Sequence, residues 1–243
     1  MPLQSARWKI VQEAPSQSIG TTSVNGSSID VRLVLFAIHQ GELWVAASQA
    51  NGDWGLPGVS LGQGESLDAA ALRALKDHLG TEHRYIEQLY SLAIEDAQTP
   101  SVLISYLGIA DAGAASLSKP GAAWQRVLAM PEVSQTDARI VEYALVRLRA
   151  KLGYTTIAFH LLPLTFSLSE LQQVYETVLG RELDKRNFRR RIQAAEILDA
   201  TRETRREGSH RPARLYRFRA VHDADTYLTP AWVSAPDGDP AKP

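Results

Sequence analysis

The 243-residue sequence contains no cysteine, few aromatic residues and almost no net charge. Without cysteine the chain can form neither a disulfide framework nor a thiolate metal site, and it has no thiol nucleophile. No apolar run approaches the roughly 20 residues that a membrane helix needs, and the N-terminus lacks the apolar stretch of a signal peptide. These absences predict a cytoplasmic protein, and the 44% hydrophobic content is enough to form real cores.

The net charge of −1 conceals two unlike parts of the chain. Residues 181–219 carry 13 Lys and Arg against 6 Asp and Glu, which is a local balance of +7. The remaining residues therefore sum to −8. A basic segment joined to an acidic remainder indicates a module that binds a polyanion, attached to a second domain.

The first part of the chain alternates strand and helix signals, which predicts an α/β domain with a mixed sheet. Strands are expected over residues 31–38, 43–47, 85–95, 102–110 and 124–130, and helices over residues 67–79 and 135–152. Residues 1–29 show little periodicity, and most of them are expected to form a loosely ordered arm. We therefore place the first domain at residues 30–152.

Residues 153–221 begin with two helix signals separated by a short turn. Ser167 and Glu170 have the spacing of a capping box, and Gly180 is suited to end the helix that follows. Asp184 can cap the next helix, which contains five basic residues in DKRNFRRR.

Two extended runs, over residues 197–204 and 213–219, follow these helices and flank a basic, turn-rich tip. Helix, short turn, basic helix and hairpin is the order of a winged helix-turn-helix domain. Residues 222–243 are rich in Pro, Asp and Gly and are expected to form a flexible tail.

The basic helix has one polar side that is suited to reading DNA. On a helical wheel, Phe188, Ile192 and Ala195 form the core side, and Arg, Asn and Gln side chains lie opposite. In the major groove Arg can bond guanine, and Asn or Gln can bond adenine. The predicted DNA contacts are Lys185, Arg186, Asn187, Arg189, Arg190, Arg191 and Gln193 on the helix, and Arg205, Arg206, His210, Arg211 and Arg214 on the hairpin.

Two alternatives to a DNA-reading helix are a merely solvated basic face and an RNA-binding face. RNA modules usually stack bases on exposed aromatic residues of a sheet. Tyr216 and Phe218 are the only candidates for such a role, and both are expected to pack against the helices instead.

The stretch LPGVSLGQGESLDAAALRALKDHLG resembles a Nudix box that has lost its carboxylate cluster. The pattern G-x5-E-x7-R-E-U-x-E-E-x-G-U, where U is aliphatic, places its first glutamate on Glu65 and its arginine on Arg73. The other three glutamates fall on Ala74, Asp77 and His78. Because Mg²⁺ needs several oxygen ligands, the sequence predicts no metal, no cofactor and no efficient pyrophosphate hydrolysis.

A degenerate Nudix domain followed by a basic winged helix resembles the Nudix-related, NrtR-like transcriptional regulators. The segments FSLSELQQVYETVLGRELDKRNFRRRI and RPARLYRF carry the resemblance most specifically, and it extends over about residues 30–220. The resemblance implies a homodimeric repressor on a palindromic operator, whose DNA affinity changes when the Nudix-like domain binds a metabolite. Such regulators include repressors of NAD metabolism and sugar sensors, so both ADP-ribose or an NAD-related nucleotide and a sugar remain open as effectors.

The predicted effector contacts are Arg32, Trp54, Glu65 and Arg73. A structural role is the alternative for two of them, since Arg73 could tie the helix to the loop and Glu65 could cap the helix end. Two other functions also remain open. One is a Nudix hydrolase with displaced metal ligands, and the other is an architectural DNA binder without an effector.

Overall fold

A computed structural model describes residues 10–11, 28–50, 52–79, 85–94, 101–110, 117, 120–130, 132–206 and 212–219. The chain forms two compact units, one ending at Leu145 and the other starting at Val146. This division lies inside a helix, whereas the sequence places the boundary after residue 152. No helix within the described residues is long and apolar enough to cross a membrane.

The N-terminal unit contains a mixed sheet with helices, as the sequence predicts. Its strands are β1 (Ile10–Val11), β2 (Ser28–His39), β3 (Glu42–Ala50), β4 (Asp53–Gly55), β5 (Gly58–Ser60), β6 (Tyr85–Ile94), β7 (Ser101–Ile109), β8 (Ala122–Arg126) and β9 (Val133–Ser134). Helix α1 is Leu67–Leu79, and helix α2 is Gln135–Leu152. The strand order is β1-β9-β4-β3-β2-β7-β6, with β5 paired to β2 and β8 paired to β3. Since β2 runs parallel to β7 and antiparallel to β3, the sheet is mixed.

Strand β2 is central because both of its faces are apolar. Leu33 and Leu35 belong to the same buried cluster as Ala74 of α1. Successive strand residues point to opposite faces, and Val34 and Phe36 on the other face are also fully buried. The turn from β2 to β3 has left-handed backbone conformations at Gln40 and Gly41, as a tight hairpin requires.

The structure differs from the predicted N-terminal part in several places, including the added short strands β4, β5 and β9. Ile10–Val11 pairs in parallel with Val133–Ser134, so the arm before residue 30 contributes a short strand. The next strand begins at Ser28 rather than at residue 31. The strand expected over 124–130 ends at Arg126, and Val127–Ala129 forms a 3₁₀ turn that buries Val127. Short apolar runs do not distinguish a strand from a helical turn, which explains this difference.

The C-terminal unit is a winged helix-turn-helix. After the 3₁₀ helix Ile157–Leu161 come β10 (Phe166–Ser167), α3 (Leu168–Leu179), α4 (Lys185–Ala194), β11 (Leu198–Arg205) and β12 (Ala213–Phe218). The three strands form an antiparallel sheet in the order β10-β12-β11.

The predicted caps of α3 and α4 are confirmed. The Ser167 hydroxyl accepts from the Glu170 backbone N–H at 3.1 Å, and the Glu170 carboxylate accepts from the Ser167 backbone N–H at 2.7 Å. Gly180 ends α3 in the left-handed conformation with φ of 70°, and the Asp184 carboxylate accepts from the Asn187 backbone N–H at 2.8 Å. The two helix N-termini and the turn between them are therefore defined by local chemistry.

The core of this unit contains the apolar side of α3 and two residues of α4. Tyr175 is buried, and its ring lies edge-to-face against Phe188 with centroids 5.4 Å apart. Ile192 is buried on the same side of α4. Ala195 does not join this core, because α4 ends at Ala194 and Ala195 is an exposed C-cap.

Candidate functional site

Helix α4 presents a continuous polar surface on the side opposite its two core residues. Phe188 and Ile192 each have 2% of their surface exposed. Six of the seven predicted DNA contacts on the helix are exposed: Lys185, Arg186, Asn187, Arg190, Arg191 and Gln193. An open depression on this surface is lined by Asp184, Lys185, Arg186, Arg189, Arg190 and Gln193. The surface can therefore present several Arg donors, together with amide groups, to an anionic partner.

Arg189 differs from the other arginines of α4, because it is directed toward α3. Its side chain is only partly exposed, and Nη2 donates to the Ser169 hydroxyl at 3.2 Å. The Nε atom is buried and has no hydrogen-bond partner among the described residues. These contacts indicate that Arg189 holds α4 against the first turn of α3.

Arg205, one of the DNA contacts predicted on the hairpin, is bound within the unit. Nη1 donates to the Glu170 carboxylate at 2.6 Å, and Nη2 donates to the Thr165 carbonyl at 3.2 Å. The pairing of Arg205 with Ala213 places it at the end of β11, beside the N-terminus of α3. The arginine thus joins the hairpin to the capping box.

The remaining hairpin predictions fall into two groups. Arg206 and Arg214 are exposed, and Arg214 lies opposite Thr204 in the ladder. His210 and Arg211 lie outside the described residues.

The aromatic residues of the hairpin do not provide an open stacking surface. The Phe218 ring is stacked on Phe159 with centroids 4.4 Å apart, and Phe159 also contacts the ring of Phe166. Tyr216 is partly buried and is paired with Phe166 across the sheet. Packing of Phe218 against the 3₁₀ helix agrees with the expected structural role and disfavours the RNA-binding alternative.

Glu65 and Arg73 in the Nudix-like loop bind each other. Arg73 Nε donates to Glu65 Oε1 at 2.9 Å, and Arg73 Nη2 donates to Glu65 Oε2 at 2.8 Å. The same Nη2 donates to the Ser60 carbonyl, and the Gly62 N–H donates to Glu65 Oε2. The hydrogen bonds from Arg73, followed by the one from Gly62, lower the pKa of Glu65 to about 2. The pair therefore connects the loop to α1, which is the structural alternative given above for Arg73. The hydroxyl that accepts from the first turn of α1 is that of Ser66, which binds the Ala69 N–H at 3.2 Å, and not the Glu65 carboxylate.

Arg32 and Trp54 lie near Leu56, whose carbonyl and N–H are both hydrogen-bonded to side chains. Arg32 Nη1 donates to the Leu56 carbonyl at 3.3 Å, and the Leu56 N–H donates to the Asp137 carboxylate at 2.9 Å. Trp54, two residues before Leu56, pairs with Val133 at the edge of β9. The Nε of Arg32 is buried without a hydrogen-bond partner among the described residues, so this guanidinium retains an unused donor.

Asp137 is a residue of this site that the sequence reasoning missed. Asp137 is only 6% exposed. It lies so close to Gly55 that a Cβ added to this glycine would be 3.0 Å from Asp137 Oδ2. A single Asp in the first turn of a helix is a common feature, so it gave no signal. A buried Leu56 N–H must find an acceptor, but this requirement does not say where in the sequence the acceptor lies.

The Nudix-box positions do not fit a Mg²⁺ site. Ala74 is fully buried in the cluster between α1 and the sheet, and Asp77 is exposed. The side chain of His78 lies outside the described residues. Among the side chains that the structure describes, no group of three His, Asp or Glu could hold a metal ion.

Comparison with known proteins identifies the family. Residues 158–218 match the model of the NrtR DNA-binding winged helix domain. The ADPR responsive transcriptional repressor NtrR of Acinetobacter baylyi is 31% identical over 209 residues, covering 80% of this chain and 83% of that protein. The chain belongs to the NrtR family. The DNA contacts predicted on α4 and the hairpin all lie inside the matched segment.

Solved structures extend the NrtR relationship over both units. NrtR of Shewanella oneidensis, crystallised with a 27mer DNA, is 33% identical with a TM-score of 0.71, covering 78% of this chain and 93% of that chain. A MutT/nudix family protein from Enterococcus faecalis is 19% identical with a TM-score of 0.63, covering 85% of this chain and 89% of that one. The second likeness shows the fold, and together they confirm a Nudix-like unit followed by the NrtR winged helix.

Proposed function

We propose that this NrtR-family regulator is a transcriptional repressor that binds operator DNA through α4 and the hairpin. The observation that carries the proposal is the exposed Arg- and amide-bearing side of α4, which is opposite the buried Phe188 and Ile192. The relative from Shewanella oneidensis, crystallised with DNA, supports it. Direct contacts are proposed for Lys185, Arg186, Arg190, Arg191, Gln193, Arg206, His210, Arg211 and Arg214, whereas Arg189 and Arg205 position the helices.

We further propose that the protein is a homodimer on a palindromic operator. Two winged helices would then read half-sites separated by about one helical turn, roughly 34–36 Å. Selection of duplexes from a random library, with the full-length protein at near-physiological salt, should enrich a two-fold symmetric motif. Strongly salt-dependent binding without enrichment would instead support an architectural DNA binder that recognises phosphates alone.

Single arginine variants separate base reading from phosphate binding. Replacing Arg186 with Ala should weaken operator binding by about 1–3 kcal/mol and relax the preference at one base position. Replacing Arg211 with Ala should weaken binding to all sequences and lower the slope of log K against log salt by about one. Equal loss of base preference in the two variants would contradict this division of roles.

We propose ADP-ribose as the effector, because the Acinetobacter baylyi relative is named as an ADPR responsive repressor. A ligand changes DNA affinity only by the difference between its affinities for the DNA-competent and other states. Operator binding should therefore be measured at fixed salt with and without saturating ADP-ribose, and with arabinose as a second ligand. A response to arabinose alone would identify a sugar effector, and equal operator affinity under all conditions would contradict effector control.

We also propose that the Nudix-like unit does not hydrolyse ADP-ribose. The burial of Ala74 and the absence of a carboxylate cluster among the described side chains support this. An assay for AMP release from ADP-ribose in the presence of Mg²⁺ should give no turnover above the buffer rate. Mg²⁺-dependent release that disappears in Glu65→Gln would instead support the hydrolase alternative.

A further inference from the structure

Two exposed side chains on α4 are bound to each other. Arg190 Nη2 donates a hydrogen bond to Asn187 Oδ1 at 3.0 Å. Residues three apart are neighbours on a helix surface, so both groups lie on the same side of α4. The backbone N–H of Asn187 donates to the Asp184 cap, which fixes this residue in the first turn of the helix.

This contact limits how Asn187 could read a base. Bidentate recognition of adenine by Asn needs its carbonyl oxygen for the N6 amino group and its amide N–H for N7. In this protein the carbonyl oxygen already accepts from Arg190. The oxygen has a second lone pair, so reading adenine in that way would require an oxygen whose position is already set by Arg190 to accept a second hydrogen bond from N6.

The same contact prepares Arg190 for guanine. A guanidinium has five N–H donors in one plane, so the bond to Asn187 restrains this plane and leaves the other donors of the exposed side chain available to a base. A side chain that is already oriented loses less conformational freedom when it binds. Arg189 cannot take this role while it is partly buried and bound to Ser169.

We propose that Arg190 reads a guanine of the operator half-site and that Asn187 is the positioning residue that orients its guanidinium. This inference rests on the proposed DNA-binding function. It replaces the expectation that Asn187 itself reads adenine with a specific role for the pair.

The test is selection from random duplexes with the full-length protein and three variants, Asn187→Ala, Asn187→Asp and Arg190→Ala. Wild type should enrich a guanine at one position of each half-site, and Arg190→Ala should abolish that preference. Asn187→Ala should lower the preference for that guanine about tenfold, with an unchanged salt slope, because no phosphate contact is lost. Asn187→Asp keeps the acceptor and should restore the preference, although its charge lowers affinity for every sequence.

Thermal melting of each variant checks that the exposed substitutions leave the fold intact. If Asn187→Ala instead loses an adenine preference and keeps the guanine, Asn187 reads a base directly and the proposal is wrong. The proposal is also wrong if Asn187→Asp fails to restore the guanine preference. If wild type itself enriches no sequence, the proposed sequence-specific DNA binding is wrong as well. The outcomes above, in which wild type enriches a motif, concern only the Asn187–Arg190 proposal.

Discussion

Glu65 and Arg73 show how a motif residue can keep its place after the chemistry of the motif is lost. The bidentate contact and the Gly62 N–H hold the carboxylate at the loop–helix junction. We expect Glu65→Gln to lower the melting temperature at pH 7, because a charge-assisted pair becomes a neutral one. The exposed Glu132→Gln is the control and should leave the melting temperature unchanged.

The pH dependence of this effect has a defined sign. The folded pKa of Glu65 is about 2, below its ordinary value of 4.5, so the pair stabilises the fold above the ordinary value. That contribution is lost as the pH falls from about 4.5 toward 2, where the carboxylate becomes protonated. Melting curves of wild type and Glu65→Gln should therefore converge in this window, and a difference that stays constant down to pH 2 would contradict the assigned pKa.

Ala74 shows the opposite case, in which a metal-ligand position has become part of the core. Its side chain is fully buried beside Leu33 and Leu35. Introducing Glu there would bury a carboxylate among apolar groups, so Ala74→Glu should destabilise the protein by about 3 kcal/mol. Lys76→Glu, at an exposed position of the same helix, is the control. Urea unfolding measures both changes, and Ala74→Glu of wild-type stability would show that this position can open to solvent.

At the scale of the element, the N-terminus of α3 connects three parts of the winged helix. Ser167 and Glu170 form the capping box, and the carboxylate of Glu170 also binds Arg205 from the hairpin. Arg189 of α4 binds Ser169 in the same turn. The cap thus contributes to the positions of the recognition helix and the hairpin as well as to α3 itself.

Removing this cap should have a measurable cost. We expect Ser167→Ala to destabilise the protein by about 1 kcal/mol, because the Glu170 N–H loses its acceptor. Ser167→Asp supplies another N-cap oxygen and should recover most of that loss. Urea unfolding gives both values, and equal stability of Ser167→Ala and wild type would show that water replaces the hydroxyl at no cost.

Elements defined by local chemistry could be predicted from the sequence. The bounds of α1 and α2, the capping box at Ser167 and the cap at Asp184 agree with the expectation, because periodicity and caps are encoded within a few residues. The pairing of Ile10–Val11 with β9 could not be predicted, since a two-residue parallel strand has no periodic pattern. The partners of Arg205 and Leu56 were also missed, because they lie 35 and 81 residues away in the sequence.

At the scale of the whole molecule, the division between the two units falls inside α2. Its first turn carries Asp137, which binds the Leu56 N–H in the N-terminal unit. Its last turns lie beyond Leu145, where Arg149 Nε donates to the Val178 carbonyl near the end of α3 at 2.9 Å. Each end of α2 is therefore held within the unit to which it belongs, the first turn by the Leu56 N–H and the last turns by α3.

Asp137 should accordingly influence the response to ADP-ribose more than the binding of DNA. Asp137→Asn keeps the shape of the side chain but weakens its bond to Leu56, because a charged acceptor becomes neutral. We expect operator affinity without ligand to stay within about twofold of wild type, while the change caused by saturating ADP-ribose falls severalfold. Glu142→Gln, at an exposed position of the same helix, should retain the full change. Operator binding with and without ADP-ribose measures both quantities. If Asp137→Asn responds as wild type does, the Leu56 contact takes no part in coupling, and the effector must act on the winged helix through other residues.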